Sequence, residues 1–264
     1  IFILDNLSVG QKEDLKKICN YNESLSSRIC LINGDVLDFN LCKNISKNID
    51  CIVHLAANTG VPVSVDFPRK DMEVNVIGTF NMLEAAKINK VKQFVFASAG
   101  APAGEVKPPI HEEIAPHPVS PYGSSKLAGE GYCSSYWNTF GVKTVALRFG
   151  NVYGPGSKNK SSVVAKFISN VLNKQVCEIY GDGLQTRDFI YIDDLISAIV
   201  KASTFSRGGE VFQIASGGEL TVKELAMHMK NIFDELNYEM NIYFGEKRLG
   251  DVQRNYSDTK KAKE

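Results

Sequence analysis

At 264 residues, with 44% hydrophobic and 23% charged side chains, the chain has ordinary globular composition and room for one large domain or two smaller ones. Its formal net charge of zero offers nothing to nucleic acid or to an anionic membrane surface, and no apolar run approaches membrane-spanning length. Six scattered cysteines with no Cys-x-x-Cys and no His-rich spacing argue against a metal site or a disulfide framework and for a reducing, cytoplasmic setting.

In chain order, β-prone apolar runs alternate with helical patterns. Strands are predicted over 1–4, 28–32, 50–55, 93–97 and 143–147, with helices over 13–18, 41–46, 72–88 and 122–140 between them. This alternation reads as βαβ units in a doubly wound parallel sheet, and near-continuous apolar strands suit a sheet covered on both faces. Beyond Pro155 the pattern loosens into a smaller mixed α/β region. A helix over 163–172 leads to a strand over 177–180 and the turn "GDG"; 187–202 reads as a strand feeding a helix. A strand over 211–214 then precedes a helix whose Thr221 and Glu224 have capping-box spacing. The opening "IFILDNLSVG" reads as a strand with nothing before it, and the closing "DTKKAKE" as a helix cut in its first turns. Both ends are therefore expected to continue in the natural protein.

In such a sheet, ligands gather beyond the carboxyl ends of the strands. Asp5 and Asn6 follow the first strand, where an acidic residue takes adenosine ribose hydroxyls in dinucleotide folds. The glycine-rich phosphate turn belongs about 20 residues before such an acid, ahead of the first residue here. Asp35 and Val36 follow the second strand, and Leu55, Ala56 and Ala57 end the third, where the small alanines permit close backbone approach. In "SPYGSSK", Tyr122 and Lys126 stand four apart and so share one helix face. A cation beside the phenol is expected to lower the tyrosine pKa and make it a usable general base.

"HLAA", "SPYGSSK", "LRFGNVYGP", "GDGLQTRDFIYIDDL" and "RLGDV" occur here in the order typical of extended short-chain dehydrogenases/reductases. The chain resembles the NAD-dependent epimerase/dehydratase family, and within it the UDP-sugar 4-epimerases. That resemblance implies an NAD-binding Rossmann domain over 1–155, rejoined by 187–214, and a nucleotide-sugar-binding region over 156–264. It implies inversion at carbon 4 of a UDP-hexose through a transient 4-keto sugar, with Tyr122 as acid/base. Lys126 would hold the nicotinamide ribose, Asp5 and Asn6 the adenosine ribose, and Asp35 and Val36 the adenine. Leu55 to Ala57 would lie on the phosphate side, and Asn75, in "VNVIGT", near the cofactor. On the substrate side it implies Ala99, Asn151, Val163, Tyr180, Arg187, Arg248, Asp251 and Asn255. Arg187 and Arg248 would neutralise the diphosphate, a task suited to forked guanidinium donors. Relatives commonly dimerise through two helices per subunit, so a homodimer is expected.

One position departs from the family pattern. The usual Ser or Thr after the fifth sheet strand, counted back from Gly104 in "FASAGAPAGE", falls on Ala99, while Ser98 stands one residue early. Adjacent strand side chains face opposite ways, so either Ser98 substitutes through a local distortion or Tyr122 works without the hydroxyl. The alternatives are a weakened or inactive nucleotide-sugar-binding relative, or a nucleotide-sugar reductase or dehydratase. Dehydratases place an acidic pair directly after the Ser/Thr, where Gly100 and Ala101 stand. Asp5 disfavours NADPH, because a carboxylate repels a 2′-phosphate.

Overall fold

The computed structural model describes residues 1–20, 26–157, 160, 162–247 and 252–264. They pack as two units, one of residues 1–97, 120–146 and 203–210, the other of residues 98–119, 147–202 and 211–264.

In the first unit, β1 (Phe2–Asp5) and β2 (Cys30–Asn33) pair in parallel, bringing Asp5 opposite Asn33. A second parallel pairing joins β3 (Cys51–His54) to β4 (Gln93–Ala99), with β5 (Thr144–Phe149) beyond β4. The apolar sequence of β4 is buried from Gln93 through Ser98, as a central strand covered on both faces should be. β1 and β3 are less covered, with Phe2 60% and Val53 39% exposed. The helix predicted over 72–88 is observed as Pro68–Met72, a single π-turn Glu73–Ile77, and Gly78–Asn89. Uniform apolar periodicity hides such an interruption, which accommodates one extra residue without ending the helix. The helix Val61–Asp66, absent from the expected elements, is opened by Gly60 at φ 103° with Pro62 in its first turn.

The helix Pro121–Phe140 is fixed at both ends and in its middle. The Ser120 hydroxyl caps the Gly123 N–H, Pro121 occupies the first helical position, and Gly141 closes the helix in the left-handed conformation. In its middle, a side chain on Gly129 would begin 2.3 Å from the Phe96 ring of β4. The glycine therefore lets the helix lie directly on the strand.

The second unit is built from short pairings. β6 (Asn151–Tyr153) runs parallel to β9 (Phe189–Tyr191), β7 (Cys177–Tyr180) parallel to β12 (Ile242–Gly245), and β8 (Thr186–Arg187) antiparallel to β11 (Leu220–Thr221). β10 (Glu210–Ile214) ends where the Gly150 N–H donates to Ile214 O at 2.9 Å. Phe167 and Val171 of the helix Val163–Leu172 pack with Ile179, Ala226, Met229 and Met240. The helix Val222–Glu235 starts in the predicted capping box of Thr221 and Glu224. Gly181 and Gly183 take φ of 68° and 75°, as the "GDG" turn requires. The closing segment forms the short helix Lys260–Lys263. Among the described residues, no helix is long and apolar enough to cross a membrane.

Candidate functional site

The ends of β1 and β2 bring three of the predicted residues together. Asn6 Nδ2 donates to Asp35 Oδ2 at 2.9 Å, while Asp35 Oδ1 accepts from the Leu37 N–H at 2.9 Å. Asp5 Oδ1 accepts from the Leu7 N–H at 2.6 Å, leaving an exposed carboxylate at the strand end. Val36 behaves differently. Its side chain is buried against Gly78, and its carbonyl accepts from Asn81 Nδ2 at 2.9 Å.

Beyond β3, Leu55 is exposed and Ala56 and Ala57 are half-buried. The next residue, Asn58, is bound on both backbone groups by Asn75: its N–H donates to Asn75 Oδ1 at 2.7 Å, and its carbonyl accepts from Asn75 Nδ2 at 2.9 Å. Asn75 lies within the π-turn, a type of distortion that commonly marks functional positions. Two further acceptors, Asp71 Oδ1 at 3.0 Å and Ser125 Oγ at 3.1 Å, face its Nδ2. Ser125 in turn donates to the Tyr122 carbonyl at 3.0 Å.

Tyr122 and Lys126 share one face of their helix, as the spacing requires. Lys126 is 3% exposed; its Nζ donates to Ala97 O at 2.8 Å and stands 5.0 Å over the Phe96 ring and 5.9 Å from the Tyr122 ring centroid. Burial pulls the Lys126 pKa down to about 8, while the Asp71 and Glu130 carboxylates push it back up. Tyr122 does not follow the expectation from spacing. Its pKa is pushed up to about 12, first by burial and then by the Asp71 carboxylate. The reason is geometric: the ammonium is engaged by a strand carbonyl and addresses the face of the ring, so desolvation of a phenolate outweighs it. Nearby His54, 3% exposed and bonded to Thr79 Oγ1 at 3.0 Å, is pushed down to about 3, by burial and then by Lys126.

In the second unit, Ser98 is buried and Ala99, the last residue of β4, is half-buried. The following Ala101–Ala103 forms a 3-10 turn ending at Gly104, which has φ 72°. A Cβ there would sit 1.7 Å from His117 O, so only glycine fits. Asn255 is half-buried, and its side-chain amide lies 3.8 Å from where a Gly100 Cβ would be. Asn151 donates to Asp188 O through its N–H at 2.8 Å and its Nδ2 at 3.2 Å. Arg187 Nη1 donates to Thr186 O at 2.7 Å and Val252 O at 2.8 Å. Val163 and Tyr180 are half-buried, Val163 packed on the apolar cluster and Tyr180 ending β7, 5.8 Å from Lys166 Nζ. Arg248 and Asp251 lie outside the described residues.

Two aspartates organise these groups and were not foreseen: Asp71 behind Asn75, and Asp188 behind Arg187 and Asn151. Asp71 stands four before Asn75 and so shares its helix face, a spacing the sequence does display. Asp188 is 1% exposed and saturated, with Oδ1 accepting from Ser216 N–H and Oγ, and Oδ2 from Gly217 N–H and Ser257 N–H. Among the described residues, no group of three or more His, Cys, Asp or Glu could hold a metal ion.

A dinucleotide is matched by several of these features. The exposed Asp5 carboxylate stands beside the Asn6–Asp35 pair at the strand ends, and small residues follow β3. Beside them Asn58 Nδ2 and Asp71 Oδ2 are buried polar atoms with no protein partner.

The sequence profile of the NAD dependent epimerase/dehydratase family matches residues 2–215. The UDP-glucose 4-epimerase of Mycolicibacterium smegmatis is 34% identical over 266 residues, which cover 99% of this chain and 82% of that protein. The dTDP-D-glucose 4,6-dehydratase of Homo sapiens is also 34% identical, over 211 residues covering 79% of this chain and 60% of that protein. Among solved structures, the UDP-N-acetylglucosamine 4-epimerase from Methanobrevibacter ruminantium, in complex with UDP-N-acetylmuramic acid, has a TM-score of 0.90. It is 32% identical, and the match covers 99% of this chain and 82% of that one.

Proposed function

The chain belongs to the NAD dependent epimerase/dehydratase family, and from that premise we propose that it inverts carbon 4 of a UDP-hexose through a transient 4-keto sugar. The observation that carries this reading is the Tyr122–Lys126 pair, with Lys126 buried and anchored on Ala97 O.

Tyr122 takes the 4-hydroxyl proton and later returns it. Lys126 holds a hydroxyl of the nicotinamide ribose, and Asp5, Asn6 and Asp35 bind the adenosine end. Ala56 and Ala57 admit the phosphates closely. NAD, when held by these residues, would supply a reversible hydride acceptor for carbon 4 and a positively charged ring. A phenol held at about 12 is a poor base near neutral pH, so proton removal depends on positive charge close to its oxygen. On the substrate side, Asn151, Arg187, Arg248 and Asp251 bind the nucleotide, and Asn255 limits the bulk admitted at carbon 2. The dehydratase reading is disfavoured because Gly100 and Ala101, at the start of the 3-10 turn, carry no carboxylate to expel a 6-hydroxyl.

Purified protein is incubated with UDP-glucose, UDP-galactose and their N-acetyl forms without added cofactor, and carbon-4 inversion is followed by proton NMR. Inversion that is lost in Tyr122→Phe supports the epimerase. A protein that retains NAD and a UDP-sugar but inverts none of them refutes it, and favours the weakened or inactive binding relative that Ala99 suggests.

A further inference from the structure

Asp71 is 1% exposed, yet only one of its carboxylate oxygens is used. Oδ1 accepts from Asn75 Nδ2 at 3.0 Å, and Oδ2 is buried without a partner. A buried carboxylate in that condition lowers the stability of the fold unless something holds it in place. What surrounds it is the hydrogen-bonded chain of the catalytic pair. Asn75 grips both backbone groups of Asn58, in the loop after β3, and also donates to Ser125. Ser125 lies between Tyr122 and Lys126 in sequence and donates to the Tyr122 carbonyl.

We propose that Asp71 is a positioning residue for the Tyr122–Lys126 pair, tying the loop after β3 to the turn that carries Tyr122 through Asn75, and serving as the buried counter-charge of Lys126. The inference rests on the epimerase reading of that pair. The carboxylate faces the nitrogen end of the Asn75 amide, so a flipped amide would set oxygen against oxygen. Asn75 Oδ1 is thereby kept on the Asn58 N–H.

The charge acts on the same pair. The Asp71 carboxylate favours the ammonium of Lys126 and opposes the phenolate of Tyr122. Burial raises its own pKa, with the Ser125 hydroxyl and Lys126 pulling it back. The other titratable groups around it are accounted for. Glu130, on the Tyr122 helix, also favours the Lys126 ammonium, and His54 on β3 is held neutral at about 3. Asp66 and Lys70 are exposed, and Arg69 pairs with Glu73 at 3.1 Å.

Two variants separate the hydrogen bond from the charge. In Asp71→Ala the Asn58 amide is expected to exchange with solvent about tenfold faster, the loss of one buried hydrogen bond's protection. Its kcat should fall about tenfold with KM for the UDP-sugar unchanged, since the substrate itself is not contacted. In Asp71→Asn the side-chain carbonyl still accepts from Asn75, so Asn58 protection returns. Without the charge, both limbs of the kcat profile move to lower pH by about one unit, because phenol and ammonium each lose their proton more easily.

Unchanged Asn58 exchange in Asp71→Ala overturns the proposal. So does an Asp71→Asn profile that superimposes on the parent, and this second result decides the matter if Asp71→Ala does not fold. Should the parent protein turn over no UDP-sugar, the functional reading fails on its own, while the Asn58 exchange rates still decide the tie through Asn75.

Discussion

Two buried aspartates, each 1% exposed, separate the two units by how their charge is treated. Asp188 accepts four hydrogen bonds, three of them from backbone N–H groups, and so fixes the segments that carry Arg187, Ser216 and Ser257. Asp71 leaves one oxygen without a protein partner and lies in a cluster whose pKa values are displaced: Lys126 at about 8, Tyr122 at about 12, His54 at about 3. A saturated buried charge builds structure. An unsaturated one beside shifted titratable groups is the arrangement in which proton chemistry is prepared.

Removing each carboxylate is the most severe test of that contrast. Asp188→Ala strands three N–H groups, one buried and two partly buried, and is expected to cost about 3 kcal/mol. Asp71→Ala loses one hydrogen bond while relieving an unsatisfied oxygen, and should cost about 1 kcal/mol. Urea unfolding of both variants measures this, and equal or reversed losses would break the comparison.

Acid sharpens it next. His54 is neutral in the fold, with a pKa of about 3 against an ordinary 6.5, so the unfolded chain binds its proton first as pH falls. Stability is therefore full above pH 6.5 and declines as pH falls toward 3. Between pH 6.5 and 5, before most carboxylates titrate, the loss should reach about 2 kcal/mol relative to His54→Gln. Parallel unfolding curves for parent and variant over that range would show that the imidazole is not held neutral.

A smaller effect is expected at the contact that seats the helix of the pair. Gly129→Ala places a methyl against the Phe96 ring, over which Lys126 also lies, and should cost about 1–2 kcal/mol of overpacking. Because the helix must move off β4, the Lys126 bond to Ala97 O should lengthen and kcat fall with it. A variant of lower stability and unchanged kcat would show that the pair tolerates the shift.

How far these features were legible depends on how local their causes are. The helix Val163–Leu172, the strand Cys177–Tyr180 and the Thr221–Glu224 capping box follow from neighbouring residues and match the observed elements. β12 is specified by its register with β7, more than sixty residues away in sequence, and was not seen in advance. The Tyr122–Lys126 face follows from helical spacing, whereas the direction of the tyrosine shift depends on burial and on Asp71. Asp71 itself, in "RKDMEV", looks like part of a solvated helix face; burial alone gives it another meaning.

The smallest expected effect asks whether the second unit takes any part in the proton chemistry. Ala99 is half-buried at the end of β4, where relatives of this kind are expected to carry a hydroxyl, and Ser98 before it is buried. On the proposed epimerase reading, a hydroxyl at 99 is expected to donate to the sugar oxygen as charge develops on it. It would stabilise the transition state more than the ground state, so kcat should rise with KM little changed. One added donor of this kind is worth about tenfold in Ala99→Ser, or about 1.4 kcal/mol of barrier. Ser98→Ala is the companion measurement. If Ala99→Ser is silent and Ser98→Ala abolishes turnover, the working hydroxyl is at 98 and the strand must bend to present it. If both are silent while Tyr122→Phe is inactive, the first unit carries the proton transfer alone, and the contrast between the two aspartates becomes a division of labour between chemistry and structure.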